Sequence, residues 1–278
     1  MMKRLLLYTA LFLLLSTAAW YWQGLPSHCD NCLPMPDIHS LLRPAPKLEL
    51  PYPAPPAPGL WDALPAGQRL ADVDQRVRPL LAEELKKRSL PLGAPVYLRA
   101  LKEERVLELW LRAANGWELW RSYPVAAASG RLGPKLREGD YQVPEGFYQV
   151  TLKQMNPASS YHLAFNIGYP NAYDLHHQRT GSFIMIHGRD VSVGCLAMTD
   201  PVIEEIYLLV TAALEKGQPS VPVHLFPFRL TDEKLSSAAG HPWEAFWRDE
   251  LRPAWLHFES KHEVPEMVME SGRYRVKP

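Results

Sequence analysis

Apolar residues after residue 66 recur with two different periods, and each period predicts a type of element. In "RLADVDQRVRPLLAEELKKR", residues 69–88, they return every three or four positions, as in an amphipathic helix. A second helix is predicted with Asp200 as N-cap, Pro201 as its first residue and Gly217 as its stop. A third follows His241. The residues predicted to face the core are Leu70, Val73, Val77, Leu80, Leu81 and Leu85 in the first helix, Ile203, Ile206, Val210 and Leu214 in the second, and Trp243, Phe246, Trp247 and Leu251 in the third.

Most of the remaining chain shows the two-residue period of strands. "VYLRALK" alternates, and "RVLELWLRA" with "WELWRSYPVA" predicts a hairpin around Asn115-Gly116. Four more strands are predicted in "GFYQVTLKQ", "YHLAFNIG", "SFIMIHG" and "PVHLFPFRL". Many short strands separated by turn signals favour a mainly β domain over a parallel α/β sheet. We therefore expect a β-sandwich or open barrel with flanking α-helices over residues 67–278.

The first 22 residues have the pattern of an export segment. Lys3 and Arg4 precede an apolar run from Leu5 to Trp22, which is long enough to cross a bilayer as a helix. The aromatic residues at its end favour an uncleaved anchor in the inner membrane. Thr17-Ala18-Ala19 leaves a cleaved signal peptide as the alternative. In either case the rest of the chain is predicted to lie outside the cytoplasm.

Residues 23–66 are predicted to form a linker. Ten prolines lie between Leu33 and Ala66, so this stretch is expected to be an extended spacer without helix or strand. Cys29 and Cys32 are close in sequence, and an exported chain is exposed to oxidising conditions, so we predict a small structural disulfide between them. Cys195 then remains as a single unpaired thiol.

Composition and charge predict a globular protein without a basic surface for binding nucleic acid. Of the 278 residues, 47% are hydrophobic, enough to fill a core. Lys plus Arg and Asp plus Glu both total 30, and no extended basic run appears. Nucleic acid is therefore not predicted as a partner.

The segment "IMIHGRDVSVGC", residues 184–195, carries the candidate chemistry. His187 can take the proton of the Cys195 thiol if the loop between them folds back, and Gly188 and Gly194 allow that. The backbone amides of Gly194 and Cys195 can then face a developing oxyanion. Ordinary core residues are the competing interpretation for both side chains. A zinc site would have to recruit His162, His176, His177 and His187, whose spacing does not suit one, so no metal or other cofactor is predicted.

"HGRDVSVGC" resembles the His-Gly and Ser-x-Gly-Cys signature of the L,D-transpeptidase (YkuD domain) family of bacterial cell-wall enzymes, and "NPASSYHLAFNIGYPNAYD" resembles its YafK-type branch. The resemblance covers about residues 90–230, and "FWRDELRPAWLHFE" extends it as a C-terminal helical extension. It implies a YkuD-like fold with Cys195 as nucleophile and His187 as base. It further implies that the Gly188 carbonyl orients the histidine, that the Gly194 amide helps to hold the oxyanion, and that Ser192 shapes the loop. The substrate-binding residues predicted on this basis are Tyr161, His162, Asn166, Tyr169 and Arg189.

Two departures from the family pattern bear on the reaction. Many members carry histidine before the motif glycine and Arg or Asn two residues after the cysteine, where this chain has Val193 and Ala197. The resemblance implies an acyl-enzyme acting on peptidoglycan stem peptides in the periplasm, at the L-centre of diaminopimelate. These departures favour an L,D-endopeptidase, which in this branch releases a murein-linked lipoprotein. The alternatives are an L,D-transpeptidase that forms cross-links or attaches protein, and an inactive peptidoglycan-binding module.

Overall fold

The computed structural model describes residues 48–278. The predicted membrane helix and the Cys29–Cys32 disulfide lie outside these residues. Within residues 48–278, no helix combines the length and the apolar character needed to cross a bilayer.

A five-stranded mixed sheet forms the larger part of the β structure. Its strands are β1 (Val96–Leu101), β2 (Val106–Ala113), β3 (Gly116–Pro124), β4 (Gly146–Val150) and β9 (Val221–Phe226), in the order β3-β2-β1-β9-β4. The predicted hairpin around Asn115-Gly116 joins β2 and β3 and is confirmed. Strands β1 and β9 run parallel, whereas all other neighbours in this sheet are antiparallel.

A four-stranded sheet carries the segment with the candidate chemistry. It consists of β5 (Met155–Asn156), β6 (Ala164–Asn166), β7 (Met185–His187) and β8 (Leu196–Ala197), in chain order across the sheet. Strand β7 is antiparallel to β6 and parallel to β8. The parallel pair is what allows His187 and the residue before β8, Cys195, to point out of the same edge of the domain.

A long helix, Asp200–Glu215, contacts strands of both sheets. Because it has neighbours on nearly every side, even Glu204 and Glu205 on it are buried. The helix was predicted, but Thr199 and not Asp200 is its N-cap. The predicted sandwich did not include a helix shared by the two sheets, and the fold consists of mixed sheets with flanking helices.

The N-terminal helical part differs from the prediction in two places. Pro79 splits the predicted helix into α2 (Ala66–Arg76) and α3 (Arg78–Lys87), because proline removes a backbone donor and favours a helix start. A short helix α1 (Pro58–Ala63) forms inside the segment that was expected to have no helix, and that expectation is wrong there. Pro58 supplies the helix start, and Trp61 is fully buried in the main core. The apolar Trp61 thus ties this proline-rich stretch to the domain.

The C-terminal part packs on the far end of the larger sheet. After the short helix α4 (Ala172–His176) and the helix Asp200–Glu215, here α5, the chain forms α6 (Asp232–Ser237), α7 (Glu244–Phe246), a π-helical turn (Trp247–Leu251), α8 (Arg252–Lys261) and the hairpin β10–β11 (Met267–Glu270 and Arg273–Val276). Phe246, Trp247 and Leu251 are buried as predicted. They belong to a second core cluster together with Phe226 and Phe228.

Candidate active site

Strand alternation brings Cys195 and His187 to one face. His187 on β7 is registered with Ala197 on β8, and paired residues of neighbouring strands share a face. Cys195 lies two positions before Ala197 and therefore on that same face, while the intervening Leu196 packs in the core. On β7 the same alternation buries Ile186 in the core and turns Met185 outward.

Both side chains line one cleft of about 450 Å³. Its other lining residues are Asn156, Ala158, Ser159, Ser160, Tyr161, Ala164, Phe183, Met185, Val191, Ser192 and Val193. Lysine, arginine and carboxylate side chains are absent from this lining among residues 48–278. Tyr161, Phe183, Val191 and Val193 are all exposed, so the cleft has an apolar rim.

The ring of His187 is held in one orientation. Its Nδ1 lies 2.6 Å from the carbonyl oxygen of Gly188, a contact in which the ring nitrogen donates. That tautomer leaves Nε2 as the unprotonated nitrogen, which is the state a general base needs. The ring of Tyr161 packs against it, with ring centroids 4.8 Å apart. The imidazole is thereby fixed on one nitrogen and open at the other.

The turn after His187 requires glycine at position 188. A Cβ atom there would lie 2.7 Å from Asp200 Oδ1 and 2.9 Å from the Tyr161 carbonyl oxygen. Asp200 Oδ1 also accepts the backbone N–H of Arg189 at 2.7 Å, and Arg189 has a positive φ. The first residue of α5 therefore holds the turn that presents the histidine.

The sulfur of Cys195 lies at the level of Met185, its neighbour across the strand pair. The backbone N–H of Met185 donates to Sγ at 3.3 Å, and Sγ lies 3.6 Å from the Phe183 carbonyl oxygen. Burial raises the pKa of the Cys195 thiol above its ordinary value, against the opposing effects of the Met185 amide and the charge of Lys135. The resting sulfur is therefore a thiol at neutral pH.

Burial acts on the histidine in the opposite direction. It lowers the pKa of His187 below its ordinary value of 6.5, while the Gly188 carbonyl and the charge of Asp200 oppose the shift. Both groups are thus neutral at neutral pH. The proton of Cys195 would move to His187 as sulfur attacks, because no preformed ion pair is stabilised in the free cleft.

The two amides predicted for the oxyanion are both engaged in this structure. The Gly194 N–H donates to Ser129 Oγ at 2.6 Å, and the Cys195 N–H donates to Ser192 Oγ at 3.2 Å. Ser129 also donates to the Tyr141 carbonyl oxygen at 2.7 Å. An oxyanion at Gly194 would have to replace the Ser129 hydroxyl, so the predicted role of these amides requires that contact to open. The contact between Ser192 and the Cys195 amide agrees with a loop-shaping serine.

The predicted substrate-binding residues divide into one that lines the cleft and four that do not. Tyr161 lines it and is 47% exposed. His162 and Tyr169 are buried outside the cleft lining, and the Tyr169 hydroxyl donates to the Lys135 and Thr180 carbonyl oxygens. Arg189 also lies outside the cleft lining, and its guanidinium pairs with Asp62 at 2.8 Å and with Asp200 at 3.2 Å. Asn166 lies outside the cleft and accepts the Gly168 N–H.

His162 belongs to a buried network behind the cleft. Its ring stacks on Trp61 with centroids 3.8 Å apart, and Nε2 lies 2.8 Å from Glu204 Oε1. Glu204 is also paired with Arg76 at 2.7 Å. The N-terminal helices thereby close the space into which His162 would otherwise open.

Residues 48–278 contain no group of three His, Cys, Asp or Glu side chains placed to hold a metal ion. Of the histidines that a zinc site would have needed, His177 donates through Nε2 to the Gly272 carbonyl oxygen at 2.8 Å, and His162 is paired with Glu204.

Three residues important for this geometry were missed by the sequence reasoning. Asp200 was interpreted only as an N-cap, and Met185 and Ser129 were not considered. The signal for Asp200 was present, since a carboxylate at a helix start near the motif can reach backbone amides. The Met185 amide followed from no pattern, because it depends on the register between β7 and β8.

A thiol and an oriented imidazole in one cleft define a cysteine acyl-transfer enzyme. The profile of the YkuD domain, the L,D-transpeptidase catalytic domain, matches residues 96–224. A relative from Escherichia coli (strain K12), named "Putative L,D-transpeptidase YafK", is 45% identical over 185 residues, which are 66% of this chain and 75% of the relative. The chain therefore belongs to the L,D-transpeptidase family of YkuD domains, cysteine enzymes that modify peptidoglycan, and the predicted family is confirmed.

Two solved structures are more distant. The helical cell shape determining protein Pgp2 from Campylobacter jejuni is 20% identical with a TM-score of 0.39, over 59% of this chain and 56% of Pgp2. Bd1075 from Bdellovibrio bacteriovorus is 21% identical with a TM-score of 0.35, over 49% of this chain and 48% of Bd1075. The alignment thus spans little more than half of Pgp2 and less than half of Bd1075.

Proposed function

We propose that this protein is an L,D-endopeptidase that cleaves the amide bond at the L-centre of diaminopimelate in peptidoglycan stems and releases a lipoprotein linked there. The observation that carries the proposal is the placement of Cys195 and His187 in one cleft, with His187 Nδ1 held by the Gly188 carbonyl. A binding module would need neither an oriented imidazole nor a thiol.

The reaction follows from the two neutral groups. Cys195 Sγ attacks the carbonyl carbon, its proton passes to His187 Nε2, and the carbonyl oxygen becomes an oxyanion. Collapse of this intermediate breaks the C–N bond, and His187 returns the proton to the leaving amine, which leaves a thioester on Cys195. Water then attacks the thioester while His187 takes its proton. That proton returns to sulfur, and a free carboxylate is released.

The lining of the cleft supports water over an amine as acceptor. A transferase has to hold an acceptor stem next to the thioester while it excludes water, and an acceptor held there calls for cationic partners in the catalytic cleft itself. Lysine and arginine are absent from the cleft lining over residues 48–278. At the two positions that depart from the family pattern, Val193 is exposed on the rim and Ala197 is fully buried between hydrogen-bonded strands. Ala197 therefore offers no room for a clamping arginine.

The decisive experiment uses the purified full chain and sacculi that carry covalently bound lipoprotein, in water enriched in ¹⁸O. We expect released lipoprotein with a free amine on its C-terminal residue, and one ¹⁸O atom in the new stem carboxylate. The Cys195→Ser variant is the control, because a serine hydroxyl is far harder to deprotonate than a thiol.

Other products would contradict the proposal in distinguishable ways. New cross-links without ¹⁸O incorporation would show an L,D-transpeptidase. Intact sacculi, with the protein bound to them, would show a peptidoglycan-binding module. Shortened stems without freed lipoprotein would retain the hydrolase and overturn the lipoprotein substrate.

The location of this reaction is part of the proposal. Peptidoglycan lies outside the cytoplasm, and the apolar run after Lys3 and Arg4 is the feature that supports export, with the protein on the periplasmic side of the inner membrane. Membrane fractionation with N-terminal mass analysis tests it. A soluble form that begins near Trp20 would favour the cleaved signal peptide over the anchor.

A further inference from the structure

A second cleft lies beside the catalytic one and has no role in the reaction above. It has a volume of about 460 Å³ and shares no lining residue with the catalytic cleft. Its walls are Arg131, Leu132, Gly133, Pro134, Leu136, Arg137, Gly139, Asp140, Gln142 and Trp243. Most of these residues belong to the loop that precedes β4.

Two positive charges in this cleft are not compensated. Over residues 48–278, the guanidinium groups of Arg131 and Arg137 make no hydrogen bond or ion pair, and both residues are exposed. The one carboxylate in the lining, Asp140, is already satisfied: it accepts Lys135 Nζ at 2.6 Å and the backbone amides of Leu136 and Arg137. The cleft therefore presents guanidinium donors with no internal acceptor.

The loop that carries these arginines is held rigidly at its base. Buried Lys102 Nζ donates to the carbonyl oxygens of Gly133 at 2.6 Å and Val143 at 2.9 Å, and it pairs with Glu145 at 3.0 Å. Glu145 in turn accepts the Trp247 ring N–H at 2.6 Å. Because Lys102 binds Gly133 and Val143 on either side of Arg137, and Gln142 Oε1 accepts the Arg131 backbone N–H, the backbone that carries the two arginines is preorganised, which lowers the entropic cost of binding.

The C-terminal extension supplies an apolar wall. Trp243 lies against Gly133 so closely that a Cβ atom there would be 2.6 Å from the indole. Only glycine permits this contact, and the indole then forms one side of the cleft. A flat apolar wall next to two guanidinium groups suits a ligand that has aliphatic segments between carboxylates.

The same loop contacts Gly194, the residue before the nucleophile Cys195. Ser129 at its start accepts the Gly194 N–H, and the Gln142 carbonyl oxygen lies 3.8 Å from the Cβ position of Gly194. A polymer that leaves the catalytic cleft past Gly194 therefore meets the second cleft next. No cation lines the catalytic cleft among residues 48–278, whereas Arg131 and Arg137 line the second cleft and could receive the carboxylates of such a polymer.

We propose that the second cleft binds the carboxylates of a peptidoglycan stem peptide, with Arg131 and Arg137 as the binding residues. The proposal rests on peptidoglycan as the substrate, and it adds a binding site remote from the reacting sulfur. An acidic protein segment is the competing ligand, and its binding would not change when the stem carboxylates are amidated.

The test measures binding and needs no turnover. Two full-length proteins are sedimented with sacculi free of lipoprotein. The parent carries Cys195→Ala only, and the double variant carries Arg131→Gln and Arg137→Gln in addition. We expect apparent affinity to fall roughly ten- to a hundredfold, as for the loss of two charge-assisted contacts. The matched control is Arg112→Gln plus Arg275→Gln, which removes two exposed arginines on strands β2 and β11 and should bind as the parent does.

Sacculi with chemically amidated carboxylates identify the ligand. On them the parent should bind as weakly as the double variant, because the acceptors are gone. Equal binding by parent and double variant on native sacculi would overturn the proposal, and so would an equal loss in the control. A difference that persists on amidated sacculi would point to another ligand. Binding that depends on the arginines, together with no lipoprotein release by the wild type, would contradict the proposed reaction alone.

Discussion

Two histidines on neighbouring segments of the smaller sheet have opposite surroundings. His187 ends β7, lines the catalytic cleft and has only its Nδ1 engaged. His162 precedes β6, lies on no cleft surface, stacks on Trp61 and is paired with Glu204. Both are buried, so exposure does not separate them. What differs is whether a distant part of the chain covers the ring.

The comparison shows how an N-terminal helix decides the extent of the cleft. Trp61 comes from α1, about a hundred residues before His162 in the chain, and its ring N–H donates to the His162 carbonyl oxygen at 3.3 Å. Arg189, beside the catalytic turn, is paired with Asp62 of the same helix. The helix therefore braces the back of the site through contacts with two of the predicted substrate-binding residues, His162 and Arg189.

The largest effect is expected at His187. The His187→Ala variant should lose roughly 10²- to 10⁴-fold in turnover on sacculi, because no base takes the thiol proton. His162→Ala should lower the free energy of unfolding by roughly 1–3 kcal/mol, since buried Glu204 loses a partner. Turnover per folded molecule should remain within a few-fold of the wild type. Equal losses of turnover in the two folded variants would end the distinction between them.

The second expectation concerns the brace. Trp61→Ala should lower the free energy of unfolding by about 3–5 kcal/mol, as for other buried aromatic residues. The neighbouring Leu60 is 69% exposed, and Leu60→Ala should change it by less than about 0.5 kcal/mol. Denaturant unfolding of both variants checks this. Similar midpoints would show that α1 does not contribute to the stability of the domain.

The third expectation concerns the hydrogen bond between Ser129 and the loop that carries the nucleophile. Ser129→Ala removes the hydroxyl that occupies the Gly194 amide, so an oxyanion no longer competes for it. We expect the rate of acylation to rise by about two- to tenfold, the equivalent of one hydrogen bond. Single-turnover kinetics on the stem substrate measure it. A slower acylation would show that Ser129 itself assists the oxyanion.

The smallest effect is a shift in pH dependence. His187 must be neutral to act, so activity is lost as pH falls through its pKa, which burial places below 6.5. Asp200 raises that pKa, so Asp200→Asn should move the acid limb of kcat/KM to lower pH, while Asn can still accept the Arg189 N–H. Asp232→Asn, far along the chain on α6, is the control. A shift to higher pH would contradict the assigned role of the carboxylate.

Much of the larger sheet could be predicted from the sequence. The strands β1 to β3 have strong alternation and a clear turn, and their antiparallel partners are neighbours in the chain. The parallel pairing of β1 with β9 could not be predicted, because the two strands lie more than a hundred residues apart in the chain. The helix α1 was missed since its proline count suggested a spacer, while one buried tryptophan was enough to anchor it.

The substrate side of the site was predicted less well. Tyr161 lines the cleft, whereas His162 and Tyr169 are buried outside its lining, where other elements supply their hydrogen-bond partners. The arginines of the second cleft carried no motif. Their significance depends on the absence of acceptors around them among residues 48–278, which is a property of packing and not of local sequence.

The sequence sufficed to predict the family and to propose Cys195 as nucleophile and His187 as base, because these depend on residue types at short spacing within one segment. It also determined the strand alternation that puts Cys195 and His187 on one face. The partners of the Gly194 and Cys195 amides, the covering of His162 and the lack of partners for Arg131 and Arg137 among residues 48–278 became visible only in the folded chain. Those properties arise from contacts between residues far apart in the chain, and no local period encodes such contacts.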